Sequence, residues 1–216
     1  VKDEDLLSDT PFMAVDLAVL ERNIQRMAAL AAEAGVKLRP HTKTHKSPRI
    51  ARMQIEAGAA GITCAKLGEA EVMADHGIED ILVAFPLVGR RKLERFAALL
   101  DRCKLTVGLD DFAVAQGIND VGESRRRRIP VYVDVDTGLH RMGRGPLESV
   151  EHILRIAQLP YVEVRGVMSH TGQAYAKGSE AEIKEVAVKD AEMMHETKQE
   201  LAKRGVDIAE ISVGAT

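Results

Sequence analysis

Leu105-Thr106-Val107-Gly108-Leu109 is followed by a stretch from Asp111 to Val121 with apolar residues three and four apart, and then by Val131-Tyr132-Val133-Asp134-Val135. Short continuous apolar runs on either side of a helical period read as strand, helix, strand, because a strand covered on both faces loses the polar alternation of a half-exposed one. Outward from this unit the pattern repeats. Strand candidates lie at Val36 to Arg39, Gly61 to Ala65, Ile81 to Phe85, Val164 to Ser169 and Ile208 to Val213, which brings the number to seven. Helices are predicted at Ser47 to Ala57, Leu67 to His76, Arg90 to Leu100, Leu147 to Gln158 and Glu180 to Arg204. Ahead of them, Phe12 to Asp16 reads as a further short strand, with Asp16 or a neighbour capping a helix over Leu17 to Ala34 that Gly35 ends. Strands alternating with helices predict a parallel sheet with right-handed crossovers. No Gly-x-Gly-x-x-Gly follows any strand, so a closed barrel is favoured over an open dinucleotide-binding sheet. The expectation is a single α/β domain over residues 1–216, a TIM-type (β/α)8 barrel truncated after about seven strands.

Composition narrows the function. Of the 216 residues, 45% are hydrophobic and 29% charged, an ordinary soluble mix that supports a conventional core. Thirty Lys and Arg against 33 Asp and Glu give a formal charge of -3, leaving no basic surplus to hold a phosphate backbone, so nucleic acid is not expected as a partner. Arg125 to Arg128 read as a solvated turn, and Met193 and Met194 as core. The two cysteines, Cys64 and Cys103, are too few for a disulfide scaffold and lack the spacing of a zinc site. The acidic start, Val1-Lys2-Asp3-Glu4-Asp5, does not resemble a signal peptide, so a cytoplasmic location without membrane attachment is expected. The chain begins without Met and stops just after an apolar, strand-like run, and so reads as a fragment.

In a parallel βα array the chemistry belongs at the C-terminal strand ends. The first such junction, Arg39-Pro40-His41-Thr42-Lys43-Thr44-His45-Lys46-Ser47-Pro48, concentrates polar groups. Its prolines argue against a helix that would put His41 and His45 on one face as a metal pair. A lysine there, desolvated in a barrel mouth, is a candidate Schiff-base nucleophile, and spacing alone does not choose between Lys43 and Lys46. Asp134 and Asp136 fall on one face of their strand, where they serve either as ligands of a divalent ion or, more commonly, as capping and ion-pairing groups. Arg141, just past Gly138, offers a fixed fork of donors suited to a phenolate or carboxylate. His170 and Tyr175 follow the sixth strand. Ser212-Val213-Gly214-Ala215-Thr216 is a small, hydroxyl-bearing turn of the kind that cradles an anion. A lysine, an arginine, a His/Tyr pair and a phosphate-sized turn together suit pyridoxal phosphate.

Several of these segments carry a family resemblance. Pro40-His41-Thr42-Lys43-Thr44-His45-Lys46 resembles the cofactor-lysine segment of the D-serine dehydratase and D-threonine aldolase family, which has an alanine racemase N-terminal barrel. Ala84-Phe85-Pro86, Asp136 to Gly143, His170 to Tyr175 and Ser212 to Thr216 extend the match over nearly the whole chain. The resemblance implies that Lys43 bonds pyridoxal 5'-phosphate and is the catalytic lysine. It implies that Arg141 contacts the cofactor's phenolic oxygen, that Tyr175 stands near the pyridine ring and that His170 lines the pocket. Ser212, Gly214 and Thr216 would bind the phosphate. It further implies a lyase acting on β-hydroxy-D-amino acids, of aldolase or dehydratase type, with racemization or non-catalytic cofactor binding as the alternatives. The complete protein would be a homodimer, with a C-terminal β domain whose His and Cys or Asp hold a divalent metal, Zn or Mn; no metal ligand is assigned within this chain.

Overall fold

The computed structural model describes residues 11–215. Its strands are β1 (Ile62–Cys64), β2 (Asp80–Val83), β3 (Lys104–Leu109), β4 (Ile129–Asp134), β5 (Val162–Met168) and β6 (Glu210–Ser212), all parallel and ordered β1-β2-β3-β4-β5-β6 as a half-barrel. The helices are α1 (Leu17–Glu33), α2 (Pro48–Glu56), α3 (Leu67–Asp75), α4 (Arg90–Leu99), α5 (Phe112–Arg125), α6 (Pro146–Ile156) and α7 (Glu180–Lys203), with a 3-10 turn at Gly172–Ala176. None is long and apolar enough to cross a membrane.

Local chemistry sets the helix limits. The side chains of Asp16, Ser47, Asp111 and Ser179 each accept a hydrogen bond from a first-turn amide, of Val19, Ile50, Ala113 and Glu182 respectively. Gly35, at φ +66°, follows α1 as expected. The arginine run does double duty, since α5 extends four residues past Val121 and ends where Arg126 turns left-handed at φ +50°.

Six of the seven expected strands form. The seventh, Val36 to Arg39, runs alongside β1 without becoming a ladder: Ala60 N donates to Leu38 O, Thr63 N to Pro40 O and Thr42 N to Thr63 O, each at 2.8 Å, yet His41 and Thr63 make a single bridge. Phe12 to Asp16 is not a strand. Met13 is 95% exposed and no neighbouring strand pairs with the segment among the described residues, so its apolar residues gain nothing from extension.

Alternation along the strands separates two environments. Ile62, Cys64, Ile81, Val83, Leu105, Val107, Leu109, Val131 and Val133 pack outward with Ala70, Met73, Phe96, Ile118, Ile153 and Met194 from the helices, forming the core. The alternate residues face inward in registered rows. Gly108, Tyr132, Gly166 and Glu210 make one row, and Asp134, Met168 and Ser212 another, nearer the C-terminal strand ends. Gly166 is required by this packing, because a Cβ there would stand 2.7 Å from the Tyr132 ring and 2.3 Å from the Glu210 carbonyl oxygen. The Tyr132 hydroxyl donates a hydrogen bond to the Glu210 carboxylate, which also accepts from Arg165 Nε at 3.1 Å. Burial pushes the Tyr132 phenol well above its ordinary range, and Glu210 adds to the shift.

Candidate active site

Parallel strands deliver every βα junction to one end of the half-barrel, and four junctions meet there. After the bridge at His41, the chain turns so that the Lys43 amide donates to His41 Nδ1 at 3.3 Å. The proton of neutral His41 therefore sits on Nε2. Lys43 is exposed; Lys46, held at φ +50°, turns toward Glu69, 4.0 Å away. His45 Nδ1 accepts from the Ser47 amide at 3.0 Å, so each of the two histidines takes a separate backbone donor.

Beyond β4 the loop 136–144 folds back on the strand through Val135 and Arg144, with Asp136 N donating to Arg144 O at 2.8 Å. Asp136 organises this loop: its carboxylate accepts from the Gly138 amide at 2.9 Å, the His140 amide at 3.0 Å and His140 Nδ1 at 2.7 Å. These donors hold its carboxyl below the usual range against the opposing effect of burial. Gly143, at φ +83°, has the Asp134 carbonyl where a Cβ would be, 2.7 Å away. The turn leaves Arg141 lining a small cleft with Asp134, Thr137, Leu139, Met142 and His170.

Of the two readings of the aspartate pair, capping holds for Asp136. Asp134 stays in the interior with Oδ2 buried and without a hydrogen-bond partner, and it faces Asp110 rather than Asp136. Burial, reinforced by the Asp110 charge and opposed by Arg141, raises its carboxyl to about 7. No group of three or more His, Cys, Asp or Glu stands close enough to hold a metal ion among the described residues.

After β5, His170 donates from Nδ1 to the Gly214 carbonyl at 3.2 Å, so neutral His170 keeps Nε2 as an acceptor. Its ring stands edge-on to Tyr175 at 6.0 Å, and Gln173 Nε2 reaches Thr137 O at 3.2 Å, tying the loops after β4 and β5 together. Tyr175 is exposed, Ser212 ends β6 in a half-buried position, and Gly214 takes φ +133° in the turn beyond. Thr216 lies outside the described residues.

The electrostatics join these parts. His41 is lowered to about 4, chiefly by burial and then by the Lys43 charge, with His170 adding to the effect and Glu69 opposing it. His170 is lowered by burial and then by Arg141, with Lys43 contributing in the same direction. Both imidazoles are thus disfavoured as cations, by burial first and then by the neighbouring lysine and arginine. The place of His41 beside Lys43 was not legible in the sequence, where His41 was weighed only against a metal pair with His45 that the flanking prolines disfavour. Cys64 and Cys103 are free, and burial pushes the Cys64 thiol up to about 11, so neither is primed as a nucleophile.

A parallel half-barrel with a lysine, an arginine and two histidines gathered at its C-terminal mouth defines a βα-barrel scaffold of the kind that carries its site at the C-terminal strand ends. More particularly, residues 15–216 match the alanine racemase N-terminal domain, and the chain belongs to that family. It is 32% identical to the D-threo-3-hydroxyaspartate dehydratase of Delftia sp. (strain HT23), over all of this chain and 57% of the relative. It is also 32% identical to the D-threonine aldolase of Arthrobacter sp, over 96% of this chain and 55% of that protein. Among solved structures, the D-threonine aldolase of Filomicrobium marinum superposes with a TM-score of 0.91 at 33% identity, covering 95% of this chain and 56% of that one. A metal-free C353A variant of D-threo-3-hydroxyaspartate dehydratase superposes with a TM-score of 0.90 at 32% identity, over 98% and 56% of the two chains. The chain thus spans a little over half the length of these relatives.

Proposed function

We propose that the protein containing this chain is a pyridoxal-phosphate-dependent lyase acting on β-hydroxy-D-amino acids, of D-threonine aldolase or D-serine dehydratase type. The observation that carries the reading is the shared field of Lys43 and Arg141 across His41 and His170, which gives the mouth an amine, a fixed guanidinium and uncharged imidazoles. That donor set fits pyridoxal phosphate, whose phosphate and phenolate are anionic and whose aldehyde needs an amine. The names of the relatives supply the substrate class.

When bound, the cofactor supplies an electron sink for negative charge at the substrate Cα. Lys43 would be the covalent anchor, and its free amine would be the group that takes or returns a proton at the substrate Cα. Arg141 holds the phenolic oxygen through its fork of donors. The turn of Ser212 and Gly214, with Thr216 beyond the described residues, would hold the phosphate, and Tyr175 would stand near the ring. Neutral His170 offers Nε2 as an acceptor for a hydroxyl or ammonium proton of the substrate. The divalent metal implied by the resemblance has no group of three or more His, Cys, Asp or Glu among the described residues, so no residue here is assigned to it, and a homodimer remains part of the proposal. A cytoplasmic location belongs to the same proposal.

Incubating the complete protein with D and L β-hydroxy amino acids tests this directly. Ammonia plus a keto acid identifies a dehydratase, glycine plus an aldehyde an aldolase, and either should appear with D substrates only and stop on chelation. Turnover confined to L substrates, or inversion of alanine indifferent to EDTA, would replace the reading with another lyase or a racemase.

A further inference from the structure

We propose that Asp190 is a positioning residue for His170, acting through the two hydroxyls on either side of it. The buried stripe of α7 consists of Asp190, Met194, Thr197 and Leu201. A carboxyl group therefore occupies a place where the helix period calls for an apolar residue, and only 2% of Asp190 is exposed. Its oxygens are fully used: Ser169 Oγ donates to Oδ1 at 2.8 Å and Thr171 Oγ1 donates to Oδ2 at 3.0 Å. Ser169 and Thr171 are themselves buried.

Residue 170 lies between them. The carboxyl group thus grips the chain immediately before and after His170, and the Ser169 amide, donating to Ser212 O at 2.9 Å, fixes the same point to β6. With the backbone held on both sides, the imidazole reaches the Gly214 carbonyl and stands against Tyr175. A buried carboxyl with hydroxyl partners in fixed geometry is a rigid second support for a side chain at a site. No catalytic role falls to Asp190 itself, which is turned into the helix–sheet interface. The inference rests on the reading of His170 as a lining residue of the cofactor pocket.

The test uses the complete protein and the variants Asp190→Ala, Asp190→Asn, Ser169→Ala and Thr171→Val. In the cofactor-free form, the His170 imidazole is followed by NMR and assigned with His170→Gln. Arg141, Lys43 and His41 are unchanged in every variant, and Ser169→Ala and Thr171→Val also keep the Asp190 carboxyl group, so a titration midpoint moved in those two variants reports displacement of the ring rather than loss of a charge. In the loaded form, the cofactor's visible spectrum, kcat and KM are measured. Asp190→Ala and Thr171→Val should move the His170 titration and lower kcat about 10- to 100-fold, as misplacement of a site group does. Asp190→Asn keeps both polar positions and lets the hydroxyls reorient, so it should restore the wild-type His170 signal and most of kcat. If Asp190→Ala does not fold, Ser169→Ala and Thr171→Val decide the matter. An unchanged His170 titration and kcat in folded variants would reduce Asp190 to a packing residue and overturn the proposal, as would Asp190→Asn behaving like the alanine variant. Wild-type protein that takes up no cofactor would sink the proposed function, while the NMR measurement would still decide the role of Asp190.

Discussion

His170 donates its Nδ1 proton to the Gly214 carbonyl oxygen 3.2 Å away, which locks one tautomer and joins the loop after β5 to the turn after β6. The consequence is chemical as well as structural: Nε2 is left as the ring's acceptor, while His41, accepting at Nδ1 from Lys43, carries its proton on Nε2. Two neutral histidines of opposite tautomer therefore serve one mouth.

Protonation should set the acid limit of the cofactor-free protein. An unfolded histidine binds its proton near ~6.5, whereas folded His41 does so only at about 4. Between those values the unfolded chain holds more protons, so stability is complete above about pH 6.5 and falls as the pH drops toward 4. Because Asp134 contributes in the opposite direction over the same range, the readout is relative: as the pH drops from about 6.5 to 4, the melting temperature of the wild type should decline against that of His41→Gln. An equal slope in both proteins would show that His41 is not its source.

Asp134 works in the opposite direction. Folded, its carboxyl holds a proton up to about pH 7, while the unfolded chain releases it near ~3.9. The folded state binds more protons in between, so stability falls as pH rises from about 4 to 7. Asp134→Asn should raise stability at pH 8 by about 1 to 3 kcal/mol and leave it unchanged near pH 4. Denaturant melts at the two pH values measure the difference.

Gly166 should not tolerate a side chain. A methyl group there meets both the Tyr132 ring and the β6 backbone, and the backbone is the less able to move. Gly166→Ala should cost about 1 to 3 kcal/mol and splay β5 from β6, a loss visible in melting and in hydrogen exchange of the β6 amides.

Removing the guanidinium at the mouth should weaken the cofactor. Arg141→Gln keeps polarity but loses charge, reach and fork, so pyridoxal phosphate should bind about 10- to 100-fold less tightly, the scale of a lost charge-assisted hydrogen bond. In the same variant the titration of His170 should move upward, because Arg141 holds it down. Equilibrium titration and NMR read the two effects separately.

Most of the fold was legible because buried parallel strands are continuous apolar runs, and the cap at Asp16 announced its helix. Phe12 to Asp16 misled because apolar composition promises a strand only where a neighbour exists to pair with it. Val36 to Arg39 found its neighbour, but Val36 is exposed and the ladder stops at one bridge. At the mouth, Lys43, Arg141 and His170 were legible as polar residues at strand ends. The loop that presents Arg141 was not, since it depends on Asp136 turning to cap Gly138 and His140 and on the left-handed Gly143 against Asp134. Asp190 was missed altogether. Its signal, a carboxyl group in the apolar stripe of α7, gains meaning only once the fold brings Ser169 and Thr171 to it.

The central claim is that Lys43 bonds pyridoxal phosphate at this mouth, and borohydride reduction of the loaded protein followed by peptide mapping addresses it most directly. The modification should fall on the peptide containing Lys43, and Lys43→Ala should abolish both the label and the visible absorbance while the melting transition persists. Lys46→Ala should leave both intact. A label on Lys46, or on no lysine, would contradict the account.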